Sequence, residues 1–143
     1  MTSIRDAETG SASIELAVLT PVVLLMFTLM IAGGRLVNAH SALDTATNAA
    51  ARAASLTRTA PAAHTAADRV TDHTLTQHHL HCTDRQLDLD TSGFNAALGE
   101  PGSVTLHTHC SVPLAELTLP GLPGSVPLAS EFASPTDPYR ERA

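Results

Sequence analysis

Two residue types in this 143-residue chain could carry chemistry. Cysteine occurs twice, as Cys82 and Cys110, and five of the eight histidines lie close to the pair in sequence: His78, His79, His81, His107 and His109. Two cysteines in a small domain with little to build a core from read as one disulfide, Cys82–Cys110. Closing such a loop stabilises a fold by roughly 3–4 kcal/mol in the chain-entropy treatment. Zinc accepts the same ligand types. Strand alternation argues against a shared ion, because Val104, Leu106, Thr108, Cys110 and Val112 alternate with Ser103, Thr105, His107, His109 and Ser111. His107 and His109 would therefore face away from Cys110. The disulfide is preferred to a Cys-containing metal site, and no metal or cofactor is assigned. A site of histidines alone, His107 and His109 with one of His78, His79 or His81, stays open.

Catalysis finds little else to use. Ser, His and Asp abound, but no G-x-S-x-G, H-E-x-x-H, G-x-G-x-x-G or P-loop sequence is present, so a non-enzymatic protein without a small-molecule substrate is expected. The chain is acidic, with a formal net charge of −6, and all its cationic side chains are arginine, spread without a basic stripe. That composition excludes nucleic acid as an expected partner.

The elements that must position these residues fall into an α+β pattern. Residues 16–33 (LAVLTPVVLLMFTLMIAG) carry no charge and would span about 27 Å as a helix, close to hydrocarbon thickness. The run is long for a cleaved secretory segment, so a retained transmembrane helix over 11–34 is expected, in contact with membrane lipid. Pro21 removes a backbone donor and should bend it, and Gly33 with Gly34 would form a hinge at its exit. A helical pattern continues over 35–58: Leu36, Ala39, Leu43, Ala46, Ala50 and Ala53 recur at alternating spacings of three and four. Such a seam covers either its own domain's core, the preferred reading, or a neighbouring subunit.

Pro61 breaks the pattern, and a second short helix is expected from there to about Leu80, with Ala63, Ala66 and Val70 on one face. From Cys82 the period becomes two, giving three half-buried strands of a small antiparallel sheet around 87–89, 103–112 and 126–132. Turn sequences Ser92-Gly93, Glu100-Pro101-Gly102 and LPGLPG at 119–124 punctuate them, and Pro127 places the last strand at an edge. Residues 59–134 would form the folded domain and 135–143 a polar tail. After the apolar run the aromatics are Phe94, Phe132 and Tyr139, so the core must be thin and in need of a staple.

Ahead of the apolar run stands Gly-Ser-Ala-Ser-Ile-Glu at 10–15. It resembles a prepilin processing site, in which a dedicated membrane peptidase cuts after the glycine and glutamate occupies the fifth mature position. The resemblance extends through the proline-bearing run SASIELAVLTPVVLL, the Gly34-Arg35 exit and the Ala-Ala-Arg-Ala-Ala stretch at 50–54, in the order found in the TadE-like family, and is best over residues 10–56. The two cysteines, the LPGLPG turn and the Asp-Pro-Tyr-Arg ending are similar to actinobacterial members. The resemblance implies a pilin-like architecture and a role as minor pilin, pseudopilin or accessory subunit in Flp/Tad-type pilus assembly or secretion. It also implies residues 1–10 as leader, Gly10 and Ser11 as the cut, Glu15 as the assembly contact, and prepilin peptidase and other Tad subunits as partners. A carboxylate in a membrane helix costs up to about 3 kcal/mol at mid-bilayer, less near the interface. In pilin-like subunits that cost is offset by a neighbour's amino terminus; the plainer reading of Glu15 is a headgroup-level residue.

Orientation is contested within the sequence. Arg35, Arg52 and Arg58 follow the span while Arg5 precedes it, and the positive-inside rule alone would hold the domain in the cytoplasm. The cysteine pair and the exported family argue for the opposite: a single-pass plasma-membrane protein with an extracytoplasmic domain. A different class, a membrane-tethered envelope-binding module using the exposed histidines for metal, remains the alternative.

Overall fold

The structure is a computed structural model that describes residues 6–97, 99–117 and 123–139, with the side chains of 6–12 not described. Part of the expected leader (1–5), most of the LPGLPG turn (118–122) and the end of the tail (140–143) lie outside the described residues.

Helix α1 (Asp6–Ser55) joins the apolar run and the alanine-rich seam in one 50-residue rod, about 75 Å long. It continues through Pro21. Nearby, the hydroxyls of Thr20 and Thr28 donate to the carbonyls of Leu16 and Leu24 at 2.6 and 2.8 Å, absorbing the two polar groups of the run within the helix. Helix α2 (Ala60–Gln77) starts at Thr59, whose hydroxyl accepts from the Ala62 N–H, with a proline in its first turn. It ends three residues before Leu80. The Leu80 N–H bonds the Leu75 carbonyl at 2.9 Å and the His79 N–H that of Thr76 at 3.1 Å, a Schellman stop with His79 at φ +54°.

Strands β1 (Asp84–Asp90), β2 (Gly102–Pro113) and β3 (Ser125–Thr136) form an antiparallel sheet in the order β1-β2-β3. β3 is an edge, as Pro127 requires. Between β1 and β2 lies a 3₁₀ turn at Ser92–Asn95, where a Cβ on Gly93 would overlap the backbone of Ser103. The short helix α3 (Leu114–Leu117) follows β2.

The inner sheet face packs on α1 and α2 through two apolar clusters. One joins Ala39, Ala42, Leu43 and Ala46 of α1 to Leu75, Leu80, Cys110, Val112, Leu117 and Leu128. The other joins Ala50, Ala51 and Ala54 to Ala63, Ala67, Leu89, Val104 and Leu106. As α1 ascends from Ala39 to Ala54, its α2 partners run from Leu75 back to Ala63, so α2 descends towards the apolar end of α1. Between the clusters each element contributes one fully buried threonine: Thr47, Thr71 and Thr108.

The seam is broader than expected. Leu36 is 38% exposed, while Ala42, Ala51 and Ala54 are buried alongside the predicted Ala39, Leu43, Ala46 and Ala50. A straight α-helix drifts by about 20° per heptad against a 3.5-residue repeat, which carries burial from Ala53 on to Ala54. On α2 the buried face is likewise Ala63, Ala67, Thr71, Thr74 and Leu75, with Ala66 and Val70 half-buried beside it.

Candidate functional site

The first functional feature is the lower half of α1. Every large apolar side chain described from Ile14 to Ile31 is exposed, including Phe27 at 60% and Met30 at 76%. Hiding such a surface from water needs an apolar environment outside the chain's own fold. The helix is long and apolar enough to cross a membrane, consistent with a single-pass membrane protein. Glu15 sits at the start of this stretch, exposed, and no described residue bonds to its carboxylate. Gly10 and Ser11 lie in α1 one turn earlier, with their side chains outside the described residues. Gly33 and Gly34 are helical and open on all sides, with no atom within 4 Å of where a Cβ would stand.

The second feature is the staple. Cys82 and Cys110 form a disulfide with a Cα–Cα distance of 5.3 Å, closing a separation of 28 residues. Cys110 is 1% exposed and sits on the inner sheet face within the lower cluster, with Cys82 packed against it. The bond therefore ties the α2–β1 connection to the central strand beneath the sheet.

The histidines do not assemble. His107 and His109 stand on the outer sheet face, as strand alternation requires, opposite Asp88 and Gln86 of β1. His107 Nδ1 lies 3.6 Å from Glu131 on β3. His78, His79 and His81 belong instead to the chain reversal below α2, and His81 Nδ1 lies 3.4 Å from Glu116. Among the described residues no three of His, Cys, Asp and Glu converge to hold an ion.

Sequence reasoning missed the polar clips that fix α1 and α2 to the sheet. Ser130 donates to Asp44 at 2.6 Å, and His40 Nδ1 lies 3.2 Å from the other oxygen of the same carboxylate. The residue types are those of a hydrolytic triad, but the carboxylate stands in the middle. The serine thus meets the carboxylate and not the imidazole, the reverse of the triad order, and the cluster fastens β3 to α1. Arg85 of β1 donates to Asp68 and Asp72 of α2 at 2.7 and 3.4 Å, and the Ser55 and Ser134 hydroxyls meet at 3.0 Å. An i,i+4 acidic pair on α2 was the available signal for the arginine. The serine pairs left none, because they join positions about 80 residues apart.

On the outer face, Asp90 is held below its ordinary carboxylate value, chiefly by the Ser92 N–H donating to it at 2.8 Å and then by the Ser92 hydroxyl; desolvation opposes them, and nearby His107 adds the smallest lowering effect.

Residues 10–52 match the model of the family described as TadE-like protein, a stretch that begins at the glycine ahead of the apolar run and ends three residues short of the end of α1. No curated protein and no solved structure matches the chain. The family suggests a Tad pilus-associated protein. Over residues 10–52, under a third of its length, the chain is similar to the TadE-like family.

Proposed function

We propose that this protein is a structural, non-catalytic subunit of a Tad-type pilus or secretion apparatus, a minor pilin or pseudopilin anchored in the plasma membrane by residues 11–34 with its α+β domain outside the cytoplasm. One observation carries the reading: the family-matched segment is a single helix whose first half is bare and apolar and whose second half is sealed into a disulfide-stapled domain. That division suits a subunit held by lipid below and presenting a rigid body above.

In this reading prepilin peptidase cuts after Gly10, Ser11 becomes the amino terminus, and Glu15 pairs with a neighbouring subunit's amino terminus within the bilayer. The Glu15 carboxylate, unmatched by any described side chain of its own chain, supports that role, because a buried anion in lipid is tolerated when a cation offsets it. Other Tad subunits are the partners, and neither nucleic acid nor a small-molecule substrate is involved. Intact-mass analysis of the protein purified from membranes tests the reading: a chain beginning at Ser11 is expected, and an uncut chain carrying residues 1–10 contradicts the processing step.

A further inference from the structure

The free edge of the sheet at β3 has a definite hydrogen-bonding register. The Leu114 N–H donates to the Gly124 carbonyl at 2.9 Å, one step beyond the pairing of Pro113 with Ser125. Bonded and non-bonded pairs alternate along an antiparallel ladder, so even-numbered residues of β3 bond β2 and odd-numbered ones turn N–H and C=O outwards. Pro127 and Pro135 both fall in the outward set and remove a donor near each end. Between them Ala129, Glu131 and Ala133, all exposed, offer backbone groups to one short strand.

Beside the upper part of this edge runs a groove of about 450 Å³ whose lining includes Asn48, Arg52 and Leu56 of the α1 end and Phe132 and Pro135 of β3. Leu56 is 85% exposed, and the Arg52 guanidinium has no partner among the described residues. A strand added here would meet Glu131 on the outer face and Arg52 with Leu56 on the inner. Its side chains would therefore alternate basic with acidic or apolar. β1 of a neighbouring copy does not suit, because it would bring Asp84, Asp88 and Asp90 of its outer face beside Glu131.

The sequence that follows β3 does suit. In Tyr139-Arg140-Glu141-Arg142 the arginines alternate with tyrosine and glutamate, and Tyr139 is 82% exposed. Its start is led away from its own edge: the Gly99 N–H donates to the Pro138 carbonyl at 3.1 Å, and Asp137 and Pro138 lie against Gly93 and Glu100 of the β1–β2 connection. Heights agree as well. Ser134 meets Ser55 at the end of α1 remote from the apolar run, so the start of this segment and the groove stand at the same end of the domain.

We propose that residues 139–142 of one copy add as a strand to the β3 edge of a neighbouring copy. The added strand runs antiparallel to β3, with Arg140 opposite Ala133 and Arg142 opposite Glu131, and with Tyr139 and Glu141 turned towards Leu56 and Arg52. The contact is heterologous and so repeats from copy to copy. It rests on the anchored-subunit reading, which stands the copies side by side in one membrane.

Two full-length chains test the contact, one carrying Ala133→Cys and the other, isotope-labelled, carrying Arg140→Cys. Reconstituted together in phosphatidylcholine vesicles and oxidised, they should join through the introduced thiols, read by mass analysis of the linked peptides. The yield should stand well above that obtained when Ser103→Cys, exposed on the outer face of β2, replaces Ala133→Cys. Adding Glu131→Arg to the accepting chain should lower the yield by about two- to fivefold. Arg142→Glu in the donating chain should then restore it, which a loss of folding could not do. A yield no higher than with Ser103→Cys, one unchanged by Glu131→Arg, or one that Arg142→Glu fails to restore overturns the proposal. Flotation of the same vesicles tests the anchor apart from the contact: chains that float without the cross-link defeat only the strand addition, and chains that do not float defeat the anchor and the contact with it.

Discussion

At the residue scale the waist between the two apolar clusters is the least settled part of the core. Thr47 returns its hydroxyl to the Leu43 carbonyl at 2.9 Å, but the hydroxyls of Thr71 and Thr108, both fully buried, find no partner among the described residues. A buried hydroxyl without a partner costs about 1–3 kcal/mol. Thr108→Val, close in volume and on a central strand that favours β-branched residues, should therefore raise stability by about 1 kcal/mol, read as a higher midpoint in denaturant melts. Asp90 gives a pH prediction. Its folded carboxyl lies below the ordinary value of 3.8, so its contribution is present above that pH and lost as pH falls through the lowered folded value. Carboxyl-resolved NMR titration should show Asp90 inflecting below 3.8, and Ser92→Pro, which deletes the donating N–H, should return it upwards. At this scale the cysteine pair was legible, because scarcity and strand alternation both pointed to it. The Asp44–Ser130 and Arg85–Asp68 contacts were not, since they depend on how elements distant in sequence come together.

The elements themselves were easier to read. Alternation placed Cys110 inside and His107 and His109 outside, and the fold keeps that assignment, as it keeps the edge position that Pro127 demands. The seam on α1 was read at a period of 3.5 and is buried at nearer 3.6, which is why Leu36 and Ala53 lie towards its margins while Ala51 and Ala54 were overlooked. The end of α2 was misjudged because the stop is made by His79, which carries none of the usual glycine signal. Alanine along α1 lets the helix sit close to its neighbours, so a larger side chain has nowhere to go. Ala50→Leu, at a site with no exposure, should cost about 1–3 kcal/mol, measured by chemical denaturation. Replacing both cysteines with alanine should cost roughly 3–4 kcal/mol by the same assay, for a loop of 28 residues.

For the molecule as a whole, the family match and the folded core divide the chain differently. The match covers residues 10–52 and stops within α1, whereas both clusters lie at Ala39 and beyond. The α+β architecture beyond α1 therefore had to come from periodicity and turn chemistry, which sufficed for three strands and a second helix. The side of the membrane was less legible, because the arginines after the span and the cysteine pair argue in opposite directions. No described residue before Ala39 enters either cluster, so a chain beginning at Arg35 should fold with the Cys82–Cys110 bond intact and remain in solution without detergent, checked by gel filtration and non-reducing mass analysis. The central claim, an anchored helix below an exported and oxidised domain, is tested most directly by thiol labelling of intact cells with a membrane-impermeant maleimide, with and without an impermeant reductant. The account predicts no labelling before reduction and labelling of both cysteines from outside after it. Two free thiols that react only once the membrane is broken would contradict it.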